Sequence, residues 1–395
     1  MARARIKRAL SVESSNRTVN STSYIDEGFP LYGASGYLGD INEYDQIDKY
    51  ISIVKDGAGV GRVNRNPEKS SIVATMNYLL PKRGFDLNFL YWVLSVFNFD
   101  LYINGSTIPH IYFKDYSNEY FDFPTNKHQQ SIANFLDKKI DKINELIQVQ
   151  EDAIVKFEEY KQQVISETIN FGLEKDNLVD SKYEWIKKIP AHWEIEKVAR
   201  TTYLKGRIGW QGLKSTEFKT EGPHLVTGTD FNNGYVDWDN CVRVTEQRYE
   251  EAKFIQVQEG DLLITKDGTI GKVAIAQNAP EKVSVNSGIF VTRPLHNEYI
   301  NKYFYYLMLS NVFKEFFQLT LTGNSTILHL YQGVFSQFRY PLPPKAEQIE
   351  IVNYLDKKTE EIEQLIQIKK DKIEKLNEYK KSLIYEAVTG KIEVM

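Results

Sequence analysis

A single cysteine, Cys241, rules out an internal disulfide framework and fits a reducing compartment, where a lone thiol is most simply a core residue. No uncharged apolar run reaches membrane-spanning length, and the basic opening MARARIKRAL is not followed by the apolar stretch that a signal peptide needs. A soluble, cytoplasmic protein without membrane contact is therefore expected. Excess charge of one sign is also scarce. A net charge of −4 over 395 residues excludes a surface coated in positive charge, so any nucleic-acid contact must come from local patches or be shared with a partner. Catalytic signatures are missing as well. There is no GxxxxGK[ST] loop and no Cys/His set with zinc spacing, and Asn66-Pro67-Glu68-Lys69 lacks the second proline and the aromatic of an Asn-Pro-Pro-Tyr segment. GAGVG after YISIVKD imitates a nucleotide-binding turn, yet its copy later in the chain reads GTIG and no acidic residue follows in a βαβ unit.

What the chain does contain is one long segment twice. Residues 106–167 recur as 325–386 at a constant offset of 219: STIPHIYFKDYS against STILHLYQGVFS, HQQSIANFLDKKIDKINELIQ against EQIEIVNYLDKKTEEIEQLIQ, and IVKFEEYKQ against IEKLNEYKK. Upstream the likeness continues with small gaps. EGFPLYGAS from Glu27 corresponds to EGPHLVTGT from Glu221, and SIVKDGAGVGRV from Ser52 to LITKDGTIGKVAI from Leu263. Each half is thus a variable globular part followed by a better-preserved helix, an arrangement that presents two similar sites related by approximate symmetry.

Short β-rich runs broken by Gly, Asn and Asp turns, each set followed by an aromatic helix (LNFLYWVLSVF and NKYFYYLMLSNVFKEFF), predict α+β globular parts over 1–125 and 181–342. At helical spacing those aromatics are core rather than stacking platforms. Proline stops at Phe123-Pro124 and Pro341-Leu342-Pro343-Pro344 precede a long helix in each of the segments 126–180 and 343–395. In the first, Leu136, Ile140, Ile143, Ile147, Gln150, Ile154, Phe157, Lys161 and Val164 alternate by fours and threes; in the second, Leu355, Thr359, Ile362, Ile366, Lys369, Ile373, Leu376, Lys380 and Leu383 do the same. Heptad seams of about 39 residues are too apolar to stay in water. The two helices are expected to form an antiparallel coiled coil, as a two-fold axis between equal halves requires, or else each to pair with another chain.

The tandem layout, the Pro190-Ala191-His192-Trp193-Glu194 segment, the proline stop followed by EQIEIVNYLDKKTEEIEQLI, and the ending SLIYEAVTGKI resemble the specificity subunit of type I restriction-modification systems over nearly the whole chain. The resemblance implies a non-catalytic subunit with two target-recognition domains, each reading half of a bipartite site in double-stranded DNA, with the helices as spacer. It implies two modification subunits that methylate adenine N6 with S-adenosylmethionine, and restriction subunits that add ATP- and Mg-dependent translocation and cleavage, with no cofactor or metal held by this chain. Two other readings stay open: service to a fused nuclease-methyltransferase partner, and a coiled-coil interaction protein that binds no DNA. One departure stands out. Residues 1–20 resemble nothing at the start of the second half, so the first recognition domain is expected to lack an edge strand.

Reading DNA needs donors and acceptors at groove edges and cations on phosphates. Lys205, Arg207, Gln211 and Lys214 in the glycine-punctuated KGRIGWQGLK are candidates, as are Thr229, Asp230, Asn232 and Asn233 after HLVTG, where a plain strand turn is the competing reading. Lys55 and Lys266 end matching strands before a glycine loop, which serves either phosphate contact or merely a hairpin. Thr107 and His110 match Thr326 and His329; being common to both halves, they suit phosphate contact or loop structure better than base choice. Lys138, Lys139, Lys357 and Lys358 on the helices are candidates for docking the methyltransferase or are ordinary solvated charge.

Overall fold

The computed structural model describes residues 2–105, 107–207, 213–320 and 329–394. Gln211 and Thr326, two of the expected contacts, lie outside the described residues. The chain divides into two compact units, the first of residues 1–152 with 369–395 and the second of 153–368.

The first unit runs β1 (Ala2–Arg5), α1 (Ile6–Ala9), β2 (Leu10–Ser14), β3 (Phe29–Gly33), β4 (Gly36–Ile41), β5 (Tyr50–Val54), β6 (Val63–Asn66), β7 (Ser71–Ile72), β8 (Met76–Pro81), α2 (Leu87–Ser95), α3 (Phe113–Tyr116) and β9 (Tyr120–Phe123) into the long helix α4 (Asn126–Phe171). Its sheets are β2-β8-β5-β6, β4-β3-β7 with β3 and β7 parallel, and the pair β1-β9. All five residues of β5 are buried, because both of its faces are covered. Ile51 and Ile53 pack with Leu90 and Leu94 of α2, while Tyr50 and Val54 pack with Leu31 and Ile72 of the smaller sheet.

The second unit continues β10 (Leu178–Asp180), β11 (Lys188–Pro190), β12 (Glu194–Lys197), α5 (Val198–Thr201), β13 (Thr202–Gly206), β14 (Lys219–Val226), β15 (Phe231–Asn232), β16 (Tyr235–Val236), β17 (Val242–Arg243), α6 (Glu246–Glu250), β18 (Leu262–Thr265), β19 (Val273–Ile275), β20 (Val283–Val285), β21 (Ile289–Pro294), α7 (Asn301–Leu309), α8 (Asn311–Thr320), α9 (Gln332–Phe335) and β22 (Arg339–Leu342), then α10 (Lys345–Val388). Its sheets β13-β21-β18-β19-β16-β15 and β17-β14-β20, the latter again with a parallel pair, repeat the first unit's two sheets with two strands added.

Two expectations need correction. The first unit does not lack an edge strand: β1 pairs with β9 as β12 pairs with β22, and a single helical turn and a strand follow in each case. ARARIKRALSVES and EIEKVARTTYLKG share only a burial pattern, with Ile6, Ala9 and Leu10 buried where Val198, Thr201 and Thr202 are. A short edge strand needs little more than backbone pairing, so its sequence is free to diverge. Nor is the second aromatic segment one helix. It breaks at Ser310, where the Asn311 N–H donates to Ser166 Oγ at 2.9 Å and Gln162 Nε2 donates to Leu309 O at 2.8 Å, so α4 side chains satisfy the groups that the break exposes.

The N-terminal part of α4 lies with the C-terminal part of α10 in the first unit, and the remaining parts lie together in the second, so the helices pair antiparallel. Leu136, Ile140, Ile143, Leu355, Ile362 and Ile366 are buried, and Ile147, Ile154, Phe157, Ile373 and Leu376 are half-buried. Two of the polar seam positions, Lys161 and Lys380, bond across in matching fashion. Lys380 Nζ donates to Asn144 Oδ1 at 2.8 Å in the first unit, and Lys161 lies 3.6 Å from Glu363 in the second.

Residues repeated at offset 219 also clamp each sheet domain to its helices. Gln129 and Gln348 are fully buried. Gln129 Oε1 accepts from the Asp86 N–H at 2.8 Å while its Nε2 donates to Pro124 O and Gly84 O; Gln348 Oε1 accepts from the Ile300 N–H at 2.9 Å while its Nε2 donates to Pro343 O and Glu298 O. Each glutamine thereby closes the start of the aromatic helix and the proline stop with one side chain. Farther along, Asp137 accepts from Trp92 Nε1 at 2.9 Å and pairs with Arg65 at 2.8 Å. Asp356 accepts from Tyr306 Oη at 2.5 Å and lies 3.4 Å from Lys302. The PAHWE segment has a similar task, since His192 Nε2 and Trp193 Nε1 lie 2.7 and 2.8 Å from the two oxygens of Glu347.

Candidate nucleic-acid interface

β13 and β18 both run antiparallel to β21, with Gly206 opposite Phe290 and Thr265 opposite Ile289, so their C-terminal ends reach the same edge of the sheet. The hairpin Lys266–Lys272 leaves that edge. Its ends are tied by Thr265 N–H to Lys272 O at 2.9 Å and Gly271 N–H to Thr265 O at 3.0 Å, and the Thr265 hydroxyl is used inside the turn. In the first unit the Val54 N–H donates to Arg62 O and the Gly61 N–H to Val54 O, each at 2.9 Å, around the hairpin Lys55–Arg62. GAGVG is therefore a β-hairpin rather than a turn opening a helix.

The glycines of this hairpin differ in kind. Gly57 and Gly268 have φ of +94° and +71° and nothing within 4 Å of a Cβ position, so the tip is open to an approaching ligand. Gly61 and Gly271 have φ of +85° and +77°, and a Cβ there would sit 2.8 Å from Phe99 or Phe313. We expect Gly61→Ala or Gly271→Ala to destabilise the protein by about 2 kcal/mol or more in denaturant unfolding, and Gly268→Ala to cost only the positive-φ penalty of about 1 kcal/mol. Equal losses at Gly268 and Gly271 would contradict this division.

The loop that carries the repeated histidine lies against the hairpin in both units. Lys55 O accepts from the Ile111 N–H, and Lys266 O from the Leu330 N–H, each at 2.9 Å. Asp56 bridges His110 and Asp267 bridges His329 through the backbone, and the His329 Nδ1 and Asp267 Oδ1 atoms are in contact. The motifs suspected separately around Lys55 and His110, and around Lys266 and His329, are thus single sites. Thr107 is exposed on the same loop as His110.

The turn after β14 joins this edge, because Lys272 Nζ donates to Gly228 O at 3.3 Å; correspondingly, Arg62 donates to Ala34 O at 3.1 Å after β3. Thr229 and Asn232 are exposed there. Asp230 is not available: it is 5% exposed and its carboxylate accepts from the Thr227 N–H at 2.7 Å, capping the turn. Asn233, at φ +48°, is a residue of the β15–β16 turn, as the competing reading had it. Lys205 is half-buried, its Nζ 5.9 Å from the Tyr203 ring centre, and Lys214 is exposed. Arg207 departs from its expected place on a surface loop. It is 2% exposed and its Nε donates to Val285 O at 3.1 Å; burial, reinforced by Arg248, holds its pKa below the usual guanidinium value.

Four residues of this edge are not among the candidates that the sequence offered. Arg62 and Lys272 are exposed cations closing the two hairpins, and Tyr112 and Tyr331, at offset 219, are 50% and 64% exposed, with ring centres 5.0 and 4.4 Å from His110 and His329. The repeat itself was the signal that would have found them. Among the described residues no cluster of His, Cys, Asp or Glu is arranged to hold a metal, and no helix is long and apolar enough to cross a membrane.

The chain matches the type I restriction modification DNA specificity domain twice, over residues 6–156 and 211–377. It is 23% identical over 389 residues to the type I restriction enzyme MjaVIII specificity subunit of Methanocaldococcus jannaschii, covering 95% of this chain and 85% of that protein. With the putative MjaX specificity subunit of the same organism it shares 27% over 212 residues, 53% of this chain and 45% of that one. A chain solved in work on complex assembly and conformational transition of the type I R-M system superposes with a TM-score of 0.74 at 14% identity, covering 99% of this chain and 98% of that chain. For the HsdS subunit of Thermoanaerobacter tengcongensis the TM-score is 0.51 at 14% identity, covering 99% and 97%. With both halves matched and the same pair of sheets built twice, the chain belongs to the type I restriction-modification specificity family, the non-catalytic DNA-recognition subunits with two target-recognition domains.

Proposed function

We propose that this chain reads a bipartite site in double-stranded DNA, one half through each unit, and scaffolds two modification subunits that methylate adenine. The observation that carries the reading is the recurrence, in both units, of one sheet edge where a glycine hairpin flanked by cations meets a histidine loop. Around that edge the turns differ in sequence, as reading two different half-sites requires.

Support for scaffolding comes from the helices. Leu146, Val149 and Tyr379 in the first unit correspond at offset 219 to Leu365, Ile368 and Tyr160 in the second, and all six are more than 40% exposed. Apolar residues left outside a filled seam, in two equivalent sets, suit two copies of one partner better than the nearby lysines 138, 139, 357 and 358 do. S-adenosylmethionine, ATP and Mg are expected on partner subunits, and restriction subunits would join the same assembly in the cytoplasm. Mapping adenine methylation in cells that express this chain with a type I modification subunit tests the proposal. A new two-part motif with a constant gap is the expected result; no motif from an assembled complex would refute it.

A further inference from the structure

We propose that the hairpin and histidine loop of each unit form a sequence-independent grip on the DNA sugar-phosphate backbone. Lys55, Arg62, His110 and Tyr112 make the grip in the first unit, and Lys266, Lys272, His329 and Tyr331 in the second. This inference rests on the DNA-reading function proposed above and assigns the backbone-holding part of it to residues that do not choose bases.

Three observations carry it. First, the grip is the same in both units while the turns beside it are not. Arg62 and Lys272 reach the carbonyls of equivalent turns, at Ala34 and Gly228. Lys55 and Lys266 receive equivalent backbone bonds from Ile111 and Leu330. What meets such a duplicated surface is the same on both sides, and in duplex DNA of any sequence the invariant part is the backbone.

Second, the side chains are placed for an anion and a sugar. Arg62 and Lys272 are exposed, so their remaining donors face solvent. The hairpin tip at Gly57 and Gly268 has no atom within 4 Å of a Cβ position, which lets a phosphate come close to the backbone. Tyr112 and Tyr331 present a hydroxyl and a ring face beside an imidazole, a combination suited to a phosphate oxygen and the deoxyribose next to it.

Third, charge distinguishes DNA from a protein surface. The chain's net charge is −4, yet each hairpin carries two cations within eight residues against one acid, and in the second unit that acid, Asp267, touches His329. A local surplus of cations on an acidic chain is the pattern expected for a polyanion.

The test uses the full chain assembled with a type I modification subunit and a pool of random 60-base-pair duplexes, with affinity measured against salt, the bound DNA sequenced and retention of the modification subunit measured. Arg62→Ala with Lys272→Ala is the principal variant, because both side chains are exposed and removing them leaves no buried group unpaired. Tyr112→Phe with Tyr331→Phe is the second, and keeps the rings. The expected result for the first is about tenfold weaker binding per lost contact, a salt slope lowered by about one per cation, and the same enriched motif as the parent chain. A changed or relaxed motif would overturn the proposal by making these residues base readers. Unaltered affinity with loss of the methyltransferase from the complex would overturn it in favour of a protein contact. If the parent chain enriches no motif, the DNA-reading function itself fails, and that outcome is separate from these.

Discussion

Replacing Gln348 with leucine will lower the stability of the second unit by about 3 kcal/mol, and Gln129→Leu will do the same in the first unit. Leucine keeps the volume and the helix propensity, so the loss comes from the polar groups left behind. In the second unit the Ile300 N–H loses its side-chain acceptor, and the carbonyls of Pro343 and Glu298 lose this donor, all around a side chain that is 1% exposed. Water cannot reach them without opening the junction between helix and sheet. Gln130, the neighbour on α4, is exposed and bonds to Asn126 on the same helix, so Gln130→Leu should shift stability by less than about 0.5 kcal/mol. Denaturant unfolding followed by hydrogen exchange in each unit separates the cases. An equal loss for Gln129→Leu and Gln130→Leu would remove the clamp.

The second large effect is all-or-none. If the paired helices set the distance between half-sites, inserting one heptad after Asp152 in α4 and one after Ile368 in α10 will widen the gap in the methylated motif by about three base pairs. Seven residues add about 10 Å of helix, against about 3.4 Å per base pair. A heptad keeps the seam in phase, and both half-site sequences should stay as they are. The two insertions must be made together, since one alone leaves the facing helix short and breaks pairings such as Lys161 with Glu363. A motif with its gap unchanged would show that the helices are not the ruler.

The helices were the most legible part of the sequence because a period of three and a half residues is a property of the seam alone: Leu136 and Ile140 are apolar whatever the rest of the chain does. The roles of Gln129 and Asp137 were not legible, though both recur at the same offset as the seam. Their partners, Asp86 and Trp92, lie about forty residues away, and identity in a repeat does not say which backbone group a side chain will meet. The first edge strand was missed for the opposite reason, since Ala2–Arg5 is held by backbone pairing to Tyr120–Phe123 and buries one small side chain, Ala4, which leaves no apolar pattern to read. Ser310 was read as helix because the apolar period runs through it; the break follows from Ser166 and Gln162, on another element. In the candidate interface, Lys55 and Lys266 were found as charge, and Arg207 was misplaced as charge. A stretch of glycine and basic residues does not reveal which guanidinium turns inward under a strand and which remains in solvent.

Because α4 and α10 pair antiparallel, the order in which the chain leaves the ribosome differs from the order of its units. Residues 153–368 form a continuous stretch, so the second unit has all its parts once Ile368 has emerged. The first unit, although its sheets are made earliest, waits for the last part of the chain: Leu383, Ile384, Ala387 and Val388 fill the core around Trp92, Leu136 and Ile140. Until they arrive, the apolar face of Asn126–Asp152 is covered in part, by Phe89, Trp92 and Val93 of α2. The N-terminal unit is thus the last to close, the reverse of the usual sequence in multidomain proteins.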